Sequence, residues 1–165
     1  MQHLTEILQA ATAAISPEYF LLPIHGDDPV YRERVYCYEL YHQMRLRWPD
    51  GAYRLNGKVD KREHPYFRRG GAPKPDLLVH QPGIGENYAV IEVKSCRAVP
   101  REIRKDLTTL AVFRNHAGYR RAIYLIYGGD VARTADRVLR CAAKVPEITQ
   151  FELWLHGAPG AAAVI

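Results

Sequence analysis

Two apolar runs separated by a helical pattern constrain the fold of this chain more than any other feature. Residues 88–94 and 121–127 each have the length of a strand, and the second run is almost continuously apolar, which is typical of a strand covered on both faces. Between them, Pro100 suits the first turn of a helix that extends to about residue 117. The apolar positions that this helix turns inward are Ile103, Leu107, Leu110 and Ala111. Because neighbouring parallel strands need a long crossover, we expect a parallel strand pair joined by this helix.

Further helical and strand patterns lie on either side of this unit. The helical patterns cover residues 4–15, 30–47 and 131–142, and the strand patterns cover residues 52–55, 75–80 and 148–155. Asn56-Gly57 predicts a tight turn that could start a hairpin. The last strand is expected at an edge of the sheet. The order predicts an α/β fold with a mixed sheet of four or more strands flanked by helices, with a core of the order α-β-β-β-α-β.

The length of 165 residues predicts a single domain, in which residues 1–29 form a helical extension and residues 157–165 a flexible tail. No apolar run approaches the roughly 20 residues that cross a bilayer, and residues 1–6 do not resemble a signal peptide. We therefore expect a cytoplasmic protein without a membrane partner. The three cysteines are widely spaced and odd in number, which predicts reduced structural thiols rather than a disulfide framework.

The charge of the chain is basic, with a formal net charge of +5, and 17 of its 23 basic residues are arginine. Arginine makes bidentate contacts with phosphate, so this balance fits a polyanionic partner, although a basic protein without such a partner has the same composition. The segment 54–74 is the most basic, and Tyr66 and Phe67 lie within it. Its cations are Arg54, Lys58, Lys61, Arg62, Arg68, Arg69 and Lys74. This segment either grips a nucleic-acid backbone or is a solvated loop.

Two opposite charges interrupt the first apolar run, at Glu92 and Lys94. Side chains alternate along a strand, so Tyr88, Val90, Glu92 and Lys94 should share one face. A buried strand tolerates such charges only if they are paired, bind a metal or face a cleft. The open alternative is a solvated ion pair on an exposed strand face. A chain of this composition is expected to contain an acid-x-Lys tripeptide by chance about as often as this one does. Whether Glu92 and Lys94 form a functional site therefore has to be judged from the neighbouring residues.

Asp76 is the neighbouring residue that favours a functional site. It begins the preceding strand pattern and should lie beside Glu92 on the neighbouring strand. Two adjacent carboxylates repel each other unless a cation lies between them, and their hard oxygen atoms suit Mg²⁺ or Mn²⁺. Lys94 would then be near enough to position or deprotonate a water, or to hold a phosphate. Glu39 on the preceding helix could add a further carboxylate, and Glu33 competes for that role. Asp76 could instead merely open a turn.

This arrangement resembles the PD-(D/E)xK nuclease superfamily. Its parts are Pro75-Asp76 before one strand, Glu92-Val93-Lys94 on the next strand, a helix and a buried strand that follow, and a glutamate on the preceding helix. That superfamily includes many restriction endonucleases and the archaeal Holliday junction resolvases. The resemblance covers residues 30–127 and implies a restriction-endonuclease-like core. It implies that Asp76 and Glu92 bind the metal with help from the Val93 carbonyl. The remaining roles that it implies are a catalytic lysine at Lys94, a helix acid at Glu39 and phosphate contacts from Arg101 or Lys105.

The expected function is therefore hydrolysis of phosphodiester bonds by a Mg²⁺- or Mn²⁺-dependent endo- or exonuclease, with DNA as the expected nucleic acid. The alternative is a nucleic-acid-binding subunit that keeps the nuclease fold but is inactive or needs a partner protein. A purely structural protein, which binds neither metal nor nucleic acid, is the third possibility. Cutting both strands of a duplex with one site per chain would favour a homodimer.

Overall fold

The computed structural model describes residues 3–58 and 73–165. The helices are α1 (Leu4–Ala13), α2 (Pro17–Phe20), α3 (Glu33–Leu46), α4 (Pro100–Asn115) and α5 (Val131–Ala142). The strands are β1 (Leu22–Ile24), β2 (Asp27–Val30), β3 (Arg54–Gly57), β4 (Leu77–Gln81), β5 (Glu86–Ser95), β6 (Arg121–Tyr127) and β7 (Glu152–His156). Neither described segment contains a helix that is long and apolar enough to cross a membrane.

A five-stranded mixed sheet of the order β3-β4-β5-β6-β7 forms the centre of the molecule, and β1 and β2 form a separate antiparallel pair. The contacts β3–β4 and β4–β5 are antiparallel, whereas β5–β6 and β6–β7 are parallel. Helix α4 supplies the crossover between β5 and β6, and α5 supplies the one between β6 and β7. The predicted α/β class with a mixed sheet is confirmed, as is the edge position of the last strand.

Helices cover both faces of the sheet, because the central strands are apolar on both sides. Ile91 and Val93 of β5 pack in one apolar cluster with residues of α1 and α3. Val90 of β5 and Tyr124 of β6 pack in a second cluster with residues of α4 and α5. The side-chain alternation of β5 thus places Ile91 and Val93 in one core and Val90 in the other.

The predicted turn at Asn56-Gly57 is wrong. Both residues belong to β3, where Asn56 pairs with Leu78 and Gly57 with Leu77. The Asn56 side chain is held in the strand by a hydrogen bond of 2.9 Å between its Oδ1 and the Nε2 of His80. Cross-strand pairing has therefore overridden the local turn preference of this dipeptide.

The predicted face of Tyr88 is also wrong. The register between β4 and β5 shifts, since Val79 pairs with Ala89 but His80 pairs with Asn87. Tyr88 is the extra residue of this β-bulge, and it packs with the α1 and α3 cluster instead of with Val90. The alternation that the sequence predicted applies only from Ala89 onward.

The two terminal regions are parts of the fold. Leu4 and Leu8 of α1 are fully buried against α3, so the predicted N-terminal extension contributes to the main core. Residues 157–165 were predicted to form a flexible tail, but residues 163 and 164 are bonded to the rest of the fold. The Ala163 N–H donates to Thr12 Oγ1 at 2.9 Å, and Val164 forms an antiparallel bridge with Leu155 of β7.

Candidate carboxylate and lysine site

Asp76 and Glu92 face each other across two neighbouring strands. Leu77 of β4 pairs with Ile91 of β5 in antiparallel register, and extending this register by one residue places Asp76 opposite Glu92. Asp76 Oδ2 accepts a hydrogen bond of 2.9 Å from the Val93 N–H. The N–H and C=O of a strand residue point to the same side, so the Val93 carbonyl also faces the Asp76 side of β5. The structure thus brings together Asp76, Glu92 and Val93, the three residues that were predicted to form a metal site.

The Glu92 side chain lies in the interior, and the residue is only 5% exposed. Burial raises the pKa of Glu92 well above its usual range, and the negative charges of Asp76 and Asp106 raise it further. A hydrogen bond with the Asp76 carboxylate also favours the protonated form, whereas Lys94 opposes these effects. Additional positive charge near Glu92 would therefore favour its ionised form.

Lys94 is held between two carboxylates that come from helices on opposite faces of the sheet. Its Nζ donates to Glu33 Oε2 of α3 at 2.9 Å and lies 3.5 Å from Asp106 Oδ2 of α4. Burial alone would lower the pKa of Lys94, but the charges of Asp106 and Glu33 outweigh it and raise the pKa above its ordinary value. Lys94 is consequently an ammonium ion at neutral pH, which suits it to hold a phosphate and not to remove a proton.

The glutamate of α3 that reaches the site is Glu33. Its Oε1 also accepts a bond of 3.4 Å from the Ser95 N–H at the end of β5. Glu39 instead accepts a hydrogen bond of 2.7 Å from Gln43 Nε2 on its own helix. Helical phase explains the difference, because Glu33 lies four residues before the buried Cys37, whereas Glu39 points about 120° away from Glu33 around the helix. Glu33 therefore takes the position for which the sequence favoured Glu39.

Asp106 is a site residue that the sequence analysis missed. It is 6% exposed, its Oδ2 has no hydrogen-bond partner in the described part of the chain, and burial raises its pKa to about 6 although Lys94 opposes this. A signal was present in the sequence, since Asp106 follows Ile103 by three residues and immediately precedes Leu107. It thus places a carboxylate on the inward face of the predicted helix.

A cavity of about 490 Å³ gives access to Asp76 from solvent. Lys58 at its rim lies 3.7 Å from Asp76 Oδ1 and is half exposed. The lining residues are Cys37, Tyr38, Tyr41, Asn56, Gly57, Lys58, Asp76 and Leu77. A polar substrate can therefore approach the Asp76 carboxylate from the side of β3.

The other described residues that were predicted to contact nucleic acid do not line this cavity. Arg101 and Lys105 are exposed on α4, and Lys74 is exposed just before Asp76. Lys61, Arg62, Arg68 and Arg69 lie outside the described residues. The role of the basic segment therefore stays a prediction.

The donor atoms of the site fit a hard divalent cation. Among residues 3–58 and 73–165, no group of three or more His, Cys, Asp or Glu side chains is arranged to hold a metal ion. Mg²⁺, however, commonly uses one or two protein carboxylates and completes its shell with water and phosphate oxygens. Asp76 and Glu92 supply two such carboxylates, and their mutual repulsion would be relieved by a cation. The side chains present thus match Mg²⁺ or Mn²⁺ in number and type.

Comparisons of the chain with protein-family models, curated proteins and solved structures found no match. The resemblance to the PD-(D/E)xK superfamily therefore stays a prediction from residues 76 and 92–94 and from the order of the surrounding elements.

Proposed function

We propose that this protein is a metal-dependent nuclease, endo- or exonucleolytic, that hydrolyses phosphodiester bonds in nucleic acid, with DNA as its substrate. One observation carries the proposal: two opposed carboxylates, Asp76 and Glu92, lie at the end of a strand pair beside a lysine that is fixed as a cation. The element order α3-β3-β4-β5-α4-β6 supports a restriction-endonuclease-like core and membership of the PD-(D/E)xK superfamily.

Asp76 and Glu92 would hold Mg²⁺ or Mn²⁺, together with the Val93 carbonyl. When bound, such an ion lowers the pKa of a coordinated water and offsets the negative charge that builds on the phosphoryl oxygens. The Val93 N–H keeps the Asp76 carboxylate in one orientation through its bond to Oδ2. The cavity beside Asp76 leaves room for a phosphate to approach the Asp76 carboxylate.

Lys94 stabilises negative charge on the phosphate and does not act as the base. Its ammonium group has three N–H donors, and Glu33 takes one of them at 2.9 Å. Asp106 lies at ion-pair distance from the same nitrogen, which leaves donor capacity for a phosphate oxygen. Glu33 and Asp106 are positioning residues, because they hold the ammonium group from both faces of the sheet.

The test compares cleavage of labelled duplex, branched and single-stranded DNA in Mg²⁺, in Mn²⁺ and in EDTA. Asp76→Asn keeps an acceptor for the Val93 N–H but removes the charge, and Lys94→Ala removes the ammonium group. Each change should lower metal-dependent cleavage by about 10²-fold or more. Asp136→Asn and Lys144→Ala, which alter exposed residues of the same types, should cleave like the wild type.

Two further measurements make the result decisive. Circular dichroism and urea unfolding should show that each variant is folded, and titration calorimetry should show that Asp76→Asn has lost Mn²⁺ binding. A folded Asp76→Asn or Lys94→Ala variant that cleaves at the wild-type rate would refute the assignment of these residues.

A second function is favoured by the internal neutralisation of the site. Lys94 is already paired with Glu33 and Asp106, and the raised pKa of Glu92 favours its protonated form, which is a poor metal ligand. Such a site suits a nucleic-acid-binding subunit that becomes active only with a partner protein. This function predicts DNA binding that weakens steeply with salt, and no cleavage by the isolated chain in either metal. Metal-dependent cleavage by the purified chain would exclude it.

A further inference from the structure

An arginine-lined cleft of about 730 Å³ lies at the carboxyl ends of β5 and β6, and the proposed chemistry does not use it. Cys96 and Arg97 follow β5, and Gly129 and Asp130 follow β6. Arg133 and Arg137 enter the cleft from the first two turns of α5, and Tyr31 closes it from the side of α3. The segments that leave two neighbouring parallel strands therefore form its walls.

The cleft carries a net positive charge, because three arginines face one carboxylate, that of Asp130. The Arg97 guanidinium lies over the Tyr31 ring, 5.5 Å from its centroid. Arg137 donates one N–H to the Ala98 carbonyl at 2.7 Å, which leaves its other donors available. Arg133 is exposed and has no hydrogen bond or ion pair within the described part of the chain. Arginines in this state can bind an anion without first breaking internal ion pairs.

The walls of the cleft are held by hydrogen bonds across the ends of the strands. The Tyr31 hydroxyl accepts a bond of 3.0 Å from the Gly129 N–H, and the Thr134 hydroxyl donates to the Cys96 carbonyl at 2.7 Å. Helix α5 begins at this cleft, so the positive end of its dipole adds to the charge of the arginines. The cleft is therefore preformed for a negatively charged group.

The cleft adjoins the carboxylate and lysine site through the backbone. Cys96 follows Lys94 by two residues, and Tyr31 precedes Glu33 by two residues. The bond between the Ser95 N–H and Glu33 Oε1 joins the two chain segments at this point. One extended ligand could thus contact both the cleft and Lys94.

We propose that the arginine cleft binds a backbone phosphate of the nucleic-acid strand whose neighbouring phosphodiester lies at Lys94. This inference rests on the proposed function. Arginine recognises phosphate by paired N–H donors and is the side chain best suited to it. The charged side chains on the cleft walls offer contacts to the backbone, so the cleft positions the strand without selecting a sequence. Arg97, Arg133 and Arg137 are therefore binding residues that act on any sequence alike.

The test measures binding of a fluorescent DNA duplex in EDTA, where binding is separated from cleavage, over a series of NaCl concentrations. The double variant Arg97→Gln/Arg133→Gln removes two charges from the cleft. The control Arg45→Gln/Lys144→Gln removes two charges from exposed positions of α3 and the segment after α5. The cleft variant should bind on the order of tenfold or more weakly at 0.1 M salt, and the slope of log K against log salt should fall by roughly 0.9 for each arginine that contacts a phosphate. The control should keep the wild-type slope.

The outcomes separate this inference from the function on which it rests. If the wild type cleaves DNA but the cleft variant binds with the control's affinity and slope, the cleft has no role and the nuclease proposal stands. If the wild type neither binds nor cleaves any polynucleotide, both proposals fail. Inorganic phosphate or a nucleoside triphosphate that binds the wild type more tightly than the duplex, and loses affinity only in the cleft variant, would show a small-molecule site and overturn the inference. Circular dichroism of each variant confirms folding.

Discussion

Asp106→Asn should make the protein more stable at neutral pH, although it removes one partner of an ion pair. The ordinary carboxyl pKa of 3.8 is raised at Asp106 to about 6, because burial outweighs the favourable charge of Lys94. The folded protein therefore binds a proton at Asp106 more tightly than the unfolded chain does. Stability is then lost as the pH rises from about 4 to about 6, and it stays lower above that range.

The size of the effect follows from the difference between the two pKa values. One pH unit corresponds to about 1.4 kcal/mol, so a rise from 3.8 to about 6 corresponds to about 3 kcal/mol at pH 7.5. Asparagine has nearly the same shape as the protonated acid and cannot ionise. The variant should consequently match the wild type near pH 4 and exceed it by about 3 kcal/mol at pH 7.5.

Urea unfolding at pH 4.0 and pH 7.5 in EDTA measures this difference. Asp136→Asn is the matched control, since Asp136 is exposed on α5 and its replacement should change the free energy of unfolding by less than about 0.5 kcal/mol at either pH. If Asp106→Asn is less stable than the wild type at pH 7.5, the ion pair with Lys94 stabilises the folded protein by more than the burial of the Asp106 charge destabilises it. The predicted gain in stability would then be wrong.

Two further predictions test the contacts of α3. Glu33→Gln should lower metal-dependent cleavage about tenfold, because it weakens the hold on Lys94, whereas Glu39→Gln should stay within about twofold of the wild type in the same assay. Tyr36→Phe should lower the free energy of unfolding by about 1–3 kcal/mol, measured by urea unfolding at pH 7.5, because it leaves the buried His156 Nδ1 without its partner at 2.7 Å. A loss of activity in the Glu39 variant equal to that in the Glu33 variant, or an unchanged midpoint for Tyr36→Phe, would contradict these two assignments.

The central part of the fold could be predicted from local patterns alone. The run 121–127 coincides with β6, and Ile103, Leu107 and Leu110 of α4 are fully buried as their spacing predicted. These elements are covered on at least one whole face, so the burial of each residue depends on its position in the period and hardly on its particular neighbours. For the same reason, the predicted parallel pair with its helical crossover is confirmed.

The features that the sequence could not predict depend on contacts between distant residues. The β-bulge at Tyr88 is set by the pairing of β5 with β4, and the strand position of Asn56 is set by pairing with Leu78. In the candidate site, Glu33 meets Lys94 from 61 positions away, and which glutamate of α3 reaches the lysine depends on how that helix is rotated. Local periodicity contains no information about such a rotation until the sheet that the helix packs on is known.

The bridge between Leu155 and Val164 also has a consequence for how molecules of this protein meet one another. A strand at the edge of a sheet exposes unpaired N–H and C=O groups, to which a strand of another molecule can add. Both backbone groups of Leu155 are already bonded to Val164, at 2.8 and 3.0 Å. Val164 thus occupies the edge of β7 at Leu155, and a variant truncated after residue 161 should aggregate at concentrations at which the chain ending at residue 165 remains dispersed.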